Sequence, residues 1–171
     1  TNNLVKDGFE LFVHDLDKKT SKDLIKKGAK WSNSISQIIS ESSIFITCLP
    51  SPDSVNKVIN ESLPLLTNDH LWIEMSTTDE NEMKRLSKLC QDKGAQTLEA
   101  PITGGQHRAS SGNIAVLAAG ERSSFKRAFP ILSSIGYEIL YCGKLGNAST
   151  LKVATNFLAS TNLLALGEAL M

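Results

Sequence analysis

Lys152 is the first residue of this sequence that asks for a chemical explanation. It is the one basic residue between Asn147 and Met171, a stretch whose only other charge is Glu168. Leu151, Val153, Ala154, Phe157, Leu158, Leu163, Leu164, Leu166 and Leu170 fall on nearly every face of the helix that this stretch predicts. Ser149 stands one turn before Lys152 and Asn156 one turn after, so the three form a single polar stripe. Burying an ammonium is expensive unless it is paired. Desolvation also draws a lysine pKa down toward ~7–8, where the amine can accept or release a proton. A lysine that snorkels its amine to water at a helix start would explain the same residue. Thr103-Gly104-Gly105 is a second candidate: two glycines let an anion approach backbone amides, and the threonine hydroxyl adds a donor. A plain tight turn uses Gly-Gly equally well. Asp15 is a third, since a carboxylate at the end of an early strand can accept the hydroxyls of an adenosine ribose and repel a 2′-phosphate. An exposed turn aspartate, with Asp17 capping the next helix, is its alternative.

The elements that would position these residues are legible from periodicity. Short apolar runs at residues 11–14, 43–48, 71–75, 96–99, 114–118 and 138–142 predict strands, with a weak one at 29–31. Amphipathic runs at 18–27, 34–40, 52–60, 79–93 and 121–133 predict helices. Met83, Leu86, Leu89 and Cys90 share one face of the fourth, and Asp79 and Glu80 sit where its dipole favours acids. Alternation of this kind predicts an α/β fold, a Rossmann-like, doubly wound, mostly parallel sheet. Such sheets bind ligands beyond the carboxyl ends of their strands. Attention therefore falls on Asp15, Leu49-Pro50-Ser51-Pro52, Ser76-Thr77-Thr78, the Pro101–Gly105 segment and Gly143.

Composition removes several classes. Eighteen basic against eighteen acidic residues leave no net charge, which argues against nucleic acid or a polybasic membrane patch as partner. Cys48, Cys90 and Cys142 are too scattered for a disulfide framework or a zinc motif, and His14, His70 and His107 suggest no metal site. No signal peptide or membrane span is visible, so the expected compartment is cytoplasmic, with the mitochondrial matrix kept open. The chain opens in what reads as the back half of a helix, ended at Gly8, and no glycine-rich phosphate loop precedes Asp15. The C-terminal run would need burial on all sides. The expectation is therefore a piece of a longer protein: residues 1–146 a truncated dinucleotide-binding domain, and 147–171 an interdomain helix that opens an all-α domain. Docking of that helix on the rest of the chain is the alternative.

Taken together, four segments resemble the β-hydroxyacid dehydrogenase family, typified by 3-hydroxyisobutyrate dehydrogenases. Phe45 to Pro50, followed by Ser51 to Val55, resembles the family's strand and "LP" cofactor segment. Trp72 to Thr77 resembles its "D-x-S-T" segment. Leu98 to Gly105, with Ala109 and Gly112-Asn113-Ile114, resembles the "DAPVSGG" substrate signature. Gly143 to Gly146, running on through Lys152 to Asn156, resembles the catalytic helix. The resemblance implies that Lys152 carries the proton of the hydroxyl being oxidised and that Asn156 helps hold the substrate. It implies that Thr103, Gly104 and Gly105 bind a small substrate carboxylate, and that Leu49, Pro50, Ser54 and Thr77 touch the cofactor. Leu16 after Asp15, where NADP-using members tend to carry Asn and then Arg, favours NAD over NADP. The implied activity is hydride transfer between NAD and a small 3-hydroxy acid, in a homo-oligomer. A non-catalytic dinucleotide-binding module, or a tartronate or succinic semialdehyde reductase, are the alternatives. Glu99 replaces the usual Asp, Thr103 the usual Ser, and Thr155 the first Asn of a pair. Thr155, where 6-phosphogluconate dehydrogenases carry His, speaks against a decarboxylating sugar-phosphate role. Lys152 speaks against the imine reductases, which lack it.

Overall fold

The computed structural model describes residues 1–171. After the short helix α1 (Asn2–Lys6), strands β1 (Phe12–Val13) and β2 (Lys30–Trp31) pair in parallel as a small separate sheet. The main sheet begins with β3 (Ile44–Thr47), β4 (Leu71–Glu74) and β5 (Gln96–Glu99), all parallel and in matched register. That register sets Thr47, Glu74 and Glu99 in one row at the carboxyl ends of the three strands. β5 is continued by β6 (Ile102–Thr103), and β7 (Ala115–Gly120) runs antiparallel to both. β8 (Glu138–Tyr141) then pairs in parallel with β7. Three of the five pairings in the main sheet are parallel, so it is mostly parallel as expected, with one reversal. The reversal has a simple cause. Parallel neighbours need a crossover of a dozen or more residues packed over a sheet face. The link from Thr103 to Ala115 holds only the short helix α6 (Gly105–Ser110), so β7 returns alongside the strand it left.

Helices α3 (Ile35–Glu41), α4 (Pro52–Ser62) and α5 (Glu80–Gln91) cover one face of the main sheet. Ile39, Val55, Ile59, Met83, Leu86 and Cys90 meet Phe45 and Trp72 there. Helix α7 (Arg122–Ile135) covers the other face, where Ala128 and Leu132 meet Leu71, Ile73, Leu98, Val116 and Ala118. β4 is buried at every position because both of its faces are covered, which is why Leu71-Trp72-Ile73 reads as a continuous apolar run rather than an alternating one.

The expected helix at 18–27 is divided into a 3-10 turn (Lys18–Ser21) and α2 (Lys22–Lys26). The Asp17 carboxylate accepts from Lys19 N at 2.9 Å and tightens that first turn. β6 and α6 were not expected, since two strand residues and six helical ones are too short to carry a periodic signal. The last helix, α8 (Asn147–Leu170), packs through its N-terminal turns, where Ala148 and Ser149 are buried and Leu151 lies against the core beside Leu117 and Ala119. Further along, Val153, Phe157, Leu158, Leu163, Leu164, Leu166 and Leu170 stand between 53% and 79% exposed, so the helix does not fold back on the chain. No helix is long and apolar enough to cross a membrane.

Candidate functional site

The row at the carboxyl edge organises the loops behind it. The Thr47 hydroxyl accepts from Trp72 Nε1 at 2.7 Å and donates to Glu74 Oε2. Glu74 Oε1 accepts from Ser76 N, and Ser76 Oγ accepts from Leu49 N at 2.8 Å. The Leu49-Pro50 loop after β3 and the Ser76-Thr77 loop after β4 are thus tied together through one buried carboxyl group. Glu74 is 1% exposed. Burial pushes its pKa up, and the hydrogen bonds from Ser76 and Thr47 pull it only part of the way back.

Ser51 caps α4, its Oγ accepting from Ser54 N at 3.2 Å and lying 3.0 Å from Ser54 Oγ. The Ser54 hydroxyl is therefore already engaged in the cap, which limits it as a cofactor contact. Thr77 is exposed at the loop surface. Its neighbour Thr78 has a buried Oγ1 with no hydrogen-bond partner. Asp15 is exposed after β1 and accepts from Asp17 N at 3.0 Å. It belongs to the small sheet, so no strand ladder ties it to the loops after β3 and β4. His14 stacks beside Trp31 with ring centroids 5.7 Å apart, and Lys18 Nζ lies 5.3 Å from the Trp31 ring centre.

Thr103 ends β6 half-buried, and Gly104 and Gly105 follow, both exposed, at φ of 129° and 79°. A side chain at either would be strained, and the two residues present bare backbone at the mouth of α6. β6 packs against α8, so this loop and the Lys152 helix are neighbours. Lys152 is half-buried and takes no part in any of the five ion pairs of the structure. Burial alone holds its pKa below the ordinary lysine value. The amine is thus partly wet rather than sealed in a dry pocket, and Asn156, one turn further, is exposed.

The anchor of that helix is not a periodic feature of the sequence. Glu99 is fully buried, and its carboxylate accepts from Gly146 N, from Ala148 N and Ser149 N at 3.1 Å each, and from Ser149 Oγ at 2.6 Å. An acid ending an apolar strand, directly before Ala100-Pro101, was the one available signal. A cavity of about 660 Å³ between α5, the start of α7 and β8 is lined by Thr97, Arg122, Tyr141 and Lys144, and of the candidate residues only Gly143 borders it.

Parallel strands whose carboxyl-end loops are locked to one another, with glycines and a half-buried amine beside them, define a dinucleotide-binding α/β domain. The chain belongs to the family of NAD-binding domains of 6-phosphogluconate dehydrogenase, whose model matches residues 1–143. It is 30% identical over 173 residues to the mitochondrial 3-hydroxyisobutyrate dehydrogenase of Rattus norvegicus, covering 98% of this chain and 51% of that protein. Mycobacterium tuberculosis 3-hydroxyisobutyrate dehydrogenase, solved with L-serine, superposes with a TM-score of 0.91 at 26% identity, over 98% of this chain and 57% of that one. An imine reductase from Myxococcus stipitatus in complex with NADP+ shares the fold, with a TM-score of 0.91 at 19% identity over 99% of this chain and 59% of that one. The chain spans about half the length of the curated relatives it matches.

Proposed function

We propose that this chain is the dinucleotide-binding part of an oxidoreductase that moves a hydride between NAD and the hydroxyl-bearing carbon of a small 3-hydroxy acid. The observation that carries the reading is Lys152, an unpaired and half-buried amine on a helix packed beside the Thr103-Gly104-Gly105 loop. The residues present suit a nicotinamide dinucleotide. The locked Leu49-Pro50 and Ser76-Thr77 loops offer a fixed edge, and the unpartnered Thr78 Oγ1 beside them is a polar group without a protein partner. Asp15, followed by the fully exposed Leu16, suits ribose hydroxyls and disfavours a 2′-phosphate, which supports NAD over NADP. When bound, the nicotinamide supplies the hydride acceptor or donor.

The chain's own residues do the rest. Thr103, Gly104 and Gly105 fix the substrate carboxylate through a hydroxyl and backbone amides, and Asn156 adds a hydrogen bond at the exposed side. The neutral Lys152 amine takes the hydroxyl proton in oxidation, and its ammonium form returns it in reduction. Oxidation therefore gains rate as pH rises through the lowered Lys152 pKa, and reduction loses it over the same range. Residues 1–146 form the dinucleotide domain in this reading, and 147–171 lead toward a further all-α domain and a homo-oligomer contact. The similarity to 3-hydroxyisobutyrate dehydrogenases supports a branched or short 3-hydroxy acid as substrate.

The test is Lys152→Ala in the protein that carries this chain, assayed against a panel of 3-hydroxy acids by nicotinamide absorbance. Turnover should fall by ~10²–10⁴-fold, the range of a lost general acid–base, with NAD affinity nearly unchanged. Retained turnover would remove Lys152 from the mechanism. NAD binding with no turnover of any acid by the unmodified protein would favour a non-catalytic binding module.

A further inference from the structure

We propose that Glu99 is a positioning residue that sets the Lys152 helix against the Thr103-Gly104-Gly105 loop, a role that rests on the dehydrogenase reading above. Glu99 is 0% exposed, and no lysine, arginine or histidine pairs with it. Its partners are the Gly146, Ala148 and Ser149 amides and the Ser149 hydroxyl, all in the opening turn of α8. The positive end of the helix dipole is thus the countercharge of a buried carboxylate. Separating the two would leave that charge uncompensated, so α8 is held where the amides reach it.

Each side of this contact leads directly to one half of the candidate site. Four residues after Glu99 along the chain stands Thr103, with the glycine pair behind it. One turn after Ser149, about 4.5 Å along the helix axis, stands Lys152. The Thr150 hydroxyl, 3.2 Å from Glu80 Oε2, adds a second tie between α8 and α5 on the same side. Both Glu99 oxygens act only as acceptors: Oε1 takes Gly146 and Ala148, and Oε2 takes both Ser149 donors. A glutamine must therefore turn its NH₂ toward an N–H or O–H whichever way it flips. Glu99→Gln separates charge and acceptor pattern from shape, whereas Glu99→Asp keeps the charge on a shorter stem.

The experiment measures geometry and turnover separately in the protein that carries this chain. Spin labels on cysteines at Gln106 and Ser160, in a background with Cys48 and Cys142 changed to serine, report the distance between the glycine loop and α8. Glu99→Gln should broaden that distribution and lower kcat by about a hundredfold with the KM for NAD little changed, while Glu99→Asp should recover at least about tenfold of the loss. A Glu99→Gln protein with unbroadened distances overturns the proposal, whether or not turnover falls. So does one whose distances broaden while kcat stays at the unmodified value. If Glu99→Gln does not fold, Ser149→Ala, which removes one of the four hydrogen bonds, must broaden the distribution and lower kcat several-fold; no change in either measure refutes the role. If the unmodified protein turns over no hydroxy acid, the dehydrogenase reading fails and the Glu99 proposal falls with it. The spin-label distances then still tell whether the anchor itself exists, so the two failures remain distinct.

Discussion

Glu74 has both carboxyl oxygens engaged and almost no water around it, so hydrogen bonds alone must support its ionised form. They do so incompletely, and its pKa stays above the 4.5 of a free carboxyl. The folded protein therefore keeps a proton that the unfolded chain releases. The stability this group contributes is complete below pH ~4.5 and is lost as pH rises through the raised value. Glutamine stays neutral throughout. Urea denaturation of Glu74→Gln at about pH 5 and about pH 8 should show the variant gaining on the unmodified protein at the higher pH. A constant difference between the two would mean that Glu74 is ionised in the folded state. Lys152 is the converse case. Burial disfavours its charge, so its neutral form, the one a base needs, becomes accessible at lower pH than for a free lysine.

At the scale of elements, the candidate site is made from strand ends and helix starts, and the caps join them. Ser51 closes the first turn of α4 with Pro52 already inside it, an arrangement that suits both residues: proline has no N–H to satisfy, and serine supplies the acceptor. Because Ser51 directly follows Leu49-Pro50, its loss should affect both fold and loop. Ser51→Ala is expected to cost about 1 kcal/mol, a fall in melting temperature of roughly 2–4 °C for a chain of this size, measured by thermal denaturation. NAD affinity should fall in the same variant. Helix α5 opens in the same manner, with the Asp79 carboxylate accepting from Asn81 N at 2.9 Å and Glu82 N at 3.0 Å. Helix α8 lacks a local cap of this kind and takes its acceptor from β5 instead. Helices α3, α4 and α5 thus start by local chemistry, with Ser34, Ser51 and Asp79 as their caps, whereas α8 starts where the sheet provides a carboxylate.

For the molecule as a whole, the outstanding feature is the bare length of α8. Exposed apolar patches of this kind mark surfaces that another element covers. The 171-residue chain expressed alone should bind an apolar dye and sediment as concentration-dependent oligomers. Replacing Leu158, Leu163, Leu164 and Leu166 by Gln should abolish both, as read by dye fluorescence and analytical ultracentrifugation. Persistent association would place the sticky surface elsewhere, with the unpaired edges of the two sheets as the next suspects.

Local physics wrote much of this protein into its sequence. The strands at 44–47, 71–74, 96–99 and 138–141, the helices at 52–62, 80–91 and 122–135, and the mostly parallel α/β plan all follow from apolar period and capping residues. The order Leu49-Pro50, Thr77, Thr103-Gly104-Gly105, Lys152 follows from motif spacing. Other features depend on residues far apart in the chain. The antiparallel return of β7, the coupling of two loops through Glu74 and the burial of Glu99 under α8 are set by pairing and packing. Glu99 and Ser149 stand fifty positions apart. Periodicity reports which face of an element avoids water, but not which distant amide a buried acid meets. The partial wetness of Lys152 was likewise decided by the tertiary structure, because its shielding depends on how much of α8 finds a surface to lie against.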